Sequence, residues 1–146
     1  PLGNLELVEA TLKSEPICAI IIECIQGVGG LDGSTTEFYK GLESLCHKYN
    51  TVLIADEVQS GFGRSGDFFA FQKHGLTPHI ISLAKGMGNG FPVGGILIHP
   101  SIKASYGLLG TTFGGNHLAS TATLAVLDVL EAENLMLNTQ KIKSKR

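Results

Sequence analysis

Lys85 is the residue whose type and position most clearly allow chemistry. It follows an apolar run at 80–84 and precedes a glycine-rich stretch at 86–95. An ammonium group at the end of a buried strand is costly unless something there uses it. A lysine removed from water loses its proton readily and becomes a nucleophile, so this position favours an imine with a carbonyl cofactor.

An acidic pair follows the preceding apolar run in the same way. Residues 51–55 lead into Asp56 and Glu57, and a second glycine turn follows at 61–66. Ligands of open α/β sheets bind beyond the carboxyl ends of the strands, and glycine permits close backbone approach to them. The sequence therefore predicts that Asp56 and Lys85 lie at the tips of neighbouring strands and face one ligand.

The elements that must position these two residues alternate between strand and helix. Short apolar runs alternate with segments of helical period, and a capping box at 34–37 and Asn116 mark two helix starts. This order predicts an α/β fold with a mainly parallel sheet flanked by helices. We expect helices at 4–13, 34–49, 68–73, 116–130 and 135–145, and strands at 17–22, 51–55, 80–84 and 93–98, the first of them buried on both faces.

Composition and charge argue against several classes of function. With a net charge of −2 and basic residues clustered only near the end, at 141–146, we expect no nucleic-acid partner. The longest unbroken apolar run, 17–22, is too short to span a membrane, and the five histidines lack the spacing of a metal site. Three cysteines in apolar surroundings indicate buried free thiols in a cytoplasmic protein: Cys18, Cys24 and Cys46.

Two chemistries use an acid and a lysine at strand ends. A strand ending in Asp-Glu is typical of phosphate-loop nucleotide hydrolases, but these require a G-x-x-x-x-G-K-[ST] loop, which the sequence lacks. Pyridoxal phosphate chemistry requires a lysine for the aldehyde, an aspartate for the ring nitrogen and donors for the 3-oxygen and the phosphate. Lys85, Asp56 and Gln59 match the first three requirements, and the loop at 111–116 suits a phosphate.

Three motifs in order resemble the signature of class III aminotransferases, which are fold-type I enzymes dependent on pyridoxal 5'-phosphate. The motifs lie at 56–66, 83–86 and 110–116, and the resemblance extends from about Ile17 to Asn134. The family includes ornithine, acetylornithine and 4-aminobutyrate aminotransferases. The resemblance implies the large domain of that fold, here incomplete.

The resemblance also implies a role for each matching residue. Lys85 and Asp56 would be catalytic, with Lys85 forming the imine and Asp56 pairing with the ring nitrogen. The cofactor-binding residues would be Asp56, Glu57, Val58, Gln59, Lys85 and Thr112, and the substrate-binding residues Thr111 and Glu23, with no metal ligand. Thr112 would reach the phosphate of a neighbouring subunit's cofactor, which implies a homodimer with the active site at the interface.

For two residues the sequence by itself supports simpler interpretations. Glu57 is either a support for the neighbouring site residues or a turn residue. Arg64 follows a glycine turn, and we expect it to form a structural ion pair with a carboxylate.

The sequence departs from the family pattern at two positions, and the second of them bears on the amino donor. Cys24 stands where proline is usual and Val28 where glutamate is usual. In ornithine aminotransferases that glutamate helps to control an active-site arginine. N-acetylornithine or N-succinylornithine therefore fits better than free ornithine, with 2-oxoglutarate as acceptor and arginine biosynthesis as the pathway.

The extent of the resemblance predicts the domain organisation. Residues 1–132 correspond to the central part of the large domain, and 133–146 to the start of a helix leading to a C-terminal small domain. Because the phosphate loop and the small domain have no counterpart here, we expect this chain alone to be inactive. The alternatives are another class III aminotransferase, such as a 4-aminobutyrate type, or a non-catalytic fragment that oligomerises.

Overall fold

A computed structural model describes residues 2–144 of the chain. Four strands and four α-helices form in this part, with two short 3-10 helices at Ala70–His74 and Lys85–Met87. The strands are β1 (Ala19–Ile22), β2 (Val52–Asp56), β3 (Ile80–Leu83) and β4 (Gly95–Ile98). The helices are α1 (Leu5–Ser14), α2 (Thr36–Lys48), α3 (His117–Ala132) and α4 (Leu135–Lys143).

The strands form one sheet in the order β1-β2-β3-β4. The β1–β2 and β2–β3 pairs are parallel, and β4 runs antiparallel to β3. The predicted α/β fold with a mainly parallel sheet is therefore confirmed. The carboxyl ends of β1, β2 and β3 lie at the same edge of the sheet, where Asp56 and Lys85 are found.

Side-chain caps begin the three longer helices. The Asn4 side chain accepts a hydrogen bond from the Leu7 amide at 2.9 Å, and the Asn116 side chain accepts one from the Ala119 amide at 3.0 Å. Each bond satisfies one of the free N–H groups of the first turn. In α2 the cap is Thr35, whereas the predicted capping box at 34–37 requires a cap at Ser34. Glu37 is therefore one position too early in the helix to complete that box.

The core lies between α2 and one face of the sheet. Alternate residues of β2 are buried there, because neighbouring side chains of a strand point to opposite faces. The Tyr39 hydroxyl is also buried, and it donates to the Cys24 carbonyl at 3.0 Å. The buried apolar residues shared by the helix and the sheet include Phe38, Tyr39, Leu42, Cys46, Leu53, Ala55, Phe69 and Leu83.

Two expectations about β1 were wrong. This strand was predicted to be buried on both faces, but Ile21 is 62% exposed, and Cys18, just before the strand, is exposed as well. The physical reason is the alternation of side chains along a strand: Ile20 and Ile22 pack against the core, so Ile21 between them points to the opposite face of the sheet, where it is exposed. Cys24 and Cys46 are buried free thiols, as predicted.

The predicted domain boundary falls next to an element end. α3 ends at Ala132 and α4 begins at Leu135, whereas residues 145 and 146 of the predicted second unit lie outside the described residues. The division into two domains therefore stays a prediction. No helix in the described part of the chain has both the length and the apolar character needed to cross a membrane.

Candidate functional site

Asp56 is the last residue of β2 and lies in register with Ser82 of β3. One carboxylate oxygen, Oδ1, accepts a hydrogen bond from the Val58 amide at 2.9 Å. No hydrogen bond to the other oxygen is found within residues 2–144. The half-buried carboxylate is thus held by its own turn, with one oxygen left for a ligand beyond the strand end.

Ser82 adds a polar group that the sequence interpretation missed. Its Oγ is buried and has no hydrogen-bond partner among the described residues. Register partners in neighbouring strands project from the same face of a sheet, so Ser82 and Asp56 share one face. The signal in the sequence was a single polar residue inside the apolar run Ile80–Leu83.

Lys85 follows β3 after one residue and begins the 3-10 helix Lys85–Met87. Its backbone φ is +44°, a left-handed conformation that costs about 1–2 kcal/mol for a residue with a Cβ. The Lys85 carbonyl accepts hydrogen bonds from the amides of Gly88, at 3.2 Å, and Asn89, at 3.1 Å. The turn therefore holds the backbone in place while the side chain stays exposed.

Lys85 lines a cavity of about 540 Å³. Its polar lining residues are Gln59, Arg64, Lys85 and Asn89, and no acidic side chain lines it. Two cations without an acid favour an anionic or electron-rich ligand. The predicted ion pair of Arg64 is not found within the described residues, because none of the three salt bridges there includes it.

The Gln59 side chain lies against Gly27, in the loop that follows β1. A Cβ on Gly27 would lie 2.5 Å from Cγ of Gln59, so only glycine allows this approach. The Gly27 amide also donates to Oε2 of Glu23 at 2.9 Å. Glu23 and Asp56 line a second cavity, of about 390 Å³, at the same end of the sheet.

The other predicted site residues fall into two groups. Val58 is half-buried between Asp56 and Gln59, whereas Glu57 is only 1% exposed, with its carboxylate in the interior. Thr111 and Thr112 are exposed in the long loop before α3 and line neither cavity. The structure thus brings Asp56, Lys85, Gln59 and Glu23 to one end of the sheet, whereas the two threonines line neither cavity there.

The groups at this end of the sheet suit an aldehyde that is attached to a nitrogen-containing ring. The described residues contain no cluster of three or more His, Cys, Asp or Glu side chains that could hold a metal ion. They do present an amine, a half-buried carboxylate and an unpartnered buried hydroxyl at adjacent strand ends. An amine can bond to an aldehyde, and a carboxylate can pair with a protonated ring nitrogen.

Comparisons with known proteins agree with this chemistry. The family model described as "Aminotransferase class-III" matches residues 2–145. Acetylornithine/succinyldiaminopimelate aminotransferase of Yersinia pestis is 41% identical over 138 residues, which are 93% of this chain and 34% of that protein. Acetylornithine aminotransferase of Archaeoglobus fulgidus is 42% identical over 142 residues, covering 96% of this chain and 38% of that protein.

A solved structure shows the same fold. The ornithine delta-aminotransferase of Plasmodium falciparum superposes with a TM-score of 0.91 at 35% sequence identity, covering 99% of this chain and 39% of that one. The chain therefore spans a little over a third of the length of the curated and solved proteins that it matches.

Proposed function

Because the chain belongs to the class III aminotransferases, we propose that the full-length protein transfers an amino group with pyridoxal 5'-phosphate as cofactor. The observation that carries this proposal is the placement of Asp56 and Lys85 at the ends of β2 and β3, two parallel strands paired in register. When bound, the cofactor supplies an aldehyde for the amino group and a ring that accepts an electron pair.

Each site residue has a task that follows from its chemistry. Lys85 would hold the aldehyde through its amine and, once displaced by the donor, move a proton to and from the donor's Cα. The Asp56 carboxylate would keep the ring nitrogen protonated by its negative charge. Gln59 would donate to the ring 3-oxygen, and Val58 would pack against the ring face.

The remaining predicted residues would act at the rim of the site. Glu23 and Thr111 would contact the substrate. Thr112 would bind the cofactor phosphate of a second subunit, and its exposed position in the loop before α3 leaves it free to reach another chain. We therefore propose a cytoplasmic homodimer with the active site at the interface.

The amino donor that fits best is an N-acylated ornithine, acetylated or succinylated, with 2-oxoglutarate as acceptor. Val28, which replaces the glutamate of ornithine aminotransferases, is 96% exposed and offers no charge to an arginine. Relatives named acetylornithine aminotransferase are consistent with this choice. Free ornithine and 4-aminobutyrate are the competing donors.

Labelling of Lys85 tests the cofactor site. The chain is incubated with pyridoxal 5'-phosphate, reduced with borohydride and mapped by mass spectrometry. We expect labelling at Lys85 that approaches one group per chain and is lost in Lys85→Ala, while the control Lys13→Ala, a change on α1, retains it. Equal labelling of Lys13, Lys40 and Lys103 would instead favour a non-catalytic fragment.

A further inference from the structure

Glu57 is the most deeply buried charged residue among those described, and it lies between two site residues. It is 1% exposed, whereas Asp56 before it is half-buried and Gln59 after it is exposed. A carboxylate removed from water is costly unless its oxygens are hydrogen-bonded. Its partners therefore indicate what the residue does.

Three donors satisfy the two oxygens of the Glu57 carboxylate. Oε2 accepts from the Ser60 hydroxyl at 2.8 Å and from the Ala70 amide at 3.0 Å, and Oε1 accepts from the Phe71 amide at 3.0 Å. The two amides belong to the first turn of the 3-10 helix Ala70–His74, where N–H groups lack partners within the helix. Both oxygens of the carboxylate therefore have hydrogen-bond donors within the protein.

No cation balances this charge within residues 2–144, since none of the three salt bridges there includes Glu57. The negative charge acts on its surroundings: burial, and then the charge of Glu57, raises the pKa of the Cys24 thiol to about 12.

The backbone of Glu57 is fixed from both sides. Its amide donates to the Ser82 carbonyl of β3 at 3.1 Å, and its carbonyl accepts from the Gly61 amide at 2.9 Å. A Cβ on Gly61 would lie 2.8 Å from the Glu57 carbonyl oxygen, so the turn closes only with glycine there. Backbone and side chain together connect β2, β3, the glycine turn and the 3-10 helix.

We propose that Glu57 is a positioning residue, whose buried carboxylate fixes residues 56–59 so that Asp56 and Gln59 point toward the ligand at the strand ends. It acts through these neighbours and does not touch the ligand, because its own oxygens are enclosed. Its importance for transamination depends on the proposed function, whereas its effect on the position of Asp56 does not.

The test measures amide hydrogen exchange in the unliganded chain. The Val58 amide is the reporter, since it donates to Oδ1 of Asp56. Glu57→Gln replaces one carboxylate oxygen by an NH₂ group. This group cannot accept the hydrogen bond that a backbone amide of the 3-10 helix donates to that oxygen. We expect exchange of the Val58 amide to accelerate about tenfold or more, beyond any change at the backbone amides that pair β2 with β3, because the amide group leaves a buried N–H donor unpaired.

Two further variants make the comparison specific. Glu43→Gln is the matched control: Glu43, on α2, also accepts from a backbone amide, that of Thr77, but it lines neither cavity of the candidate site. It should leave Val58 unchanged. Ser60→Ala removes one donor and keeps the charge, so a smaller acceleration at Val58 is expected, and this variant decides the question if Glu57→Gln does not fold.

A second measurement separates this inference from the proposed function. In the labelling experiment above, Glu57→Gln should require about tenfold more pyridoxal 5'-phosphate than the parent chain for half-labelling of Lys85 and should alter the visible absorbance of the complex. Absence of Lys85 labelling in the parent chain would contradict a cofactor site formed by this chain and would leave the inference about Asp56 unaffected. If exchange of the Val58 amide in Glu57→Gln accelerates no more than exchange of the backbone amides that pair β2 with β3, Glu57 does not position Asp56 and the inference is wrong.

Discussion

Glu9 connects α1 to the end of α2 through charged hydrogen bonds. It lies on α1 and contacts two residues near the end of α2: Oε1 accepts from Lys48 Nζ at 2.6 Å and from the Tyr49 hydroxyl at 3.0 Å. Lys13 lies 3.4 Å from its other oxygen. The hydrogen bond from Lys48, followed by that from Tyr49, lowers the pKa of Glu9 to about 2.

The lowered pKa of Glu9 predicts a specific loss of stability in acid. Because the folded state holds the carboxylate ionised more strongly than the unfolded chain does, its contribution is complete above the usual pKa, about 4.5. It decreases as the pH falls from there and is lost below about 2. Urea unfolding followed between pH 7 and pH 3 should show a smaller decline for Glu9→Gln than for the parent chain.

Glu6→Gln is the control for this prediction. Glu6 lies on the same helix and is exposed, and no salt bridge to it is found in the part of the chain that the structure describes. Its acid dependence should therefore match that of the parent chain. Identical curves for all three proteins would show that the contact between Glu9 and Lys48 contributes no free energy of folding.

At the scale of elements, α4 packs against the glycine turn that precedes the 3-10 helix Ala70–His74. Gln140 Nε2 donates to the Gly66 carbonyl at 2.7 Å, and a Cβ on Gly63 would lie 2.9 Å from Cγ of Met136. The contact joins residues far apart in sequence. Arg64, which lies between Gly63 and Gly66, lines the same cavity as Lys85.

Gly63 is expected to be intolerant of a side chain for two separable reasons. Its φ of +80° is left-handed, which costs about 1–2 kcal/mol for alanine, and the added methyl would overlap Met136, which costs about 1–3 kcal/mol more. Gly107 has nearly the same φ, +78°, but nothing within 4 Å of its added Cβ. Urea unfolding should therefore show a larger loss of free energy for Gly63→Ala than for Gly107→Ala.

Equal losses in these two variants would contradict the packing of α4 against the turn, because only the backbone term would then remain. A third variant, Met136→Ala, removes the overlapping side chain. Combined with Gly63→Ala, it should recover part of the difference, whereas independent sites would give additive losses.

The order of elements could be predicted from the sequence because local signals mark each one. Asn4 and Asn116 cap helices where a side-chain acceptor precedes a helical period, and the apolar run at 80–84 becomes β3. Burial could not be predicted in the same way. Whether Ile21 is covered depends on which elements pack against its face of the sheet, and an apolar run does not encode them.

For the candidate site, the positions of the two main residues could be predicted from the sequence, but the contacts around them could not. Residue type and the carboxyl ends of parallel strands were enough to bring Asp56 and Lys85 to one edge of the sheet. The hydrogen bonds of Glu57 were not predictable, because its donors at 70 and 71 come from a helix whose placement depends on tertiary packing. The unpartnered Ser82 hydroxyl likewise appears only when β2 and β3 are paired.

At the scale of the whole molecule, the chain exposes much apolar surface. Three consecutive residues of β4 are exposed, Ile96, Leu97 and Ile98, at 50%, 49% and 43%. β4 is also an edge strand, with backbone groups that pair with β3 on one side only among the described residues. An exposed apolar edge strand without charged residues is a template for pairing with another chain.

We therefore expect the 146-residue chain to self-associate through β4 as its concentration rises. Leu97→Lys places a charge in the middle of the edge strand, which opposes edge-to-edge pairing, so association should begin at a concentration about tenfold higher or more. Leu137→Lys is the matched control, since Leu137 is exposed to a similar extent, 54%, but lies on α4. Sedimentation velocity over a concentration series measures the onset for each protein. Equal onsets for both variants would attribute association to general apolar exposure, and a parent chain that stays monomeric would show that the β4 edge does not pair.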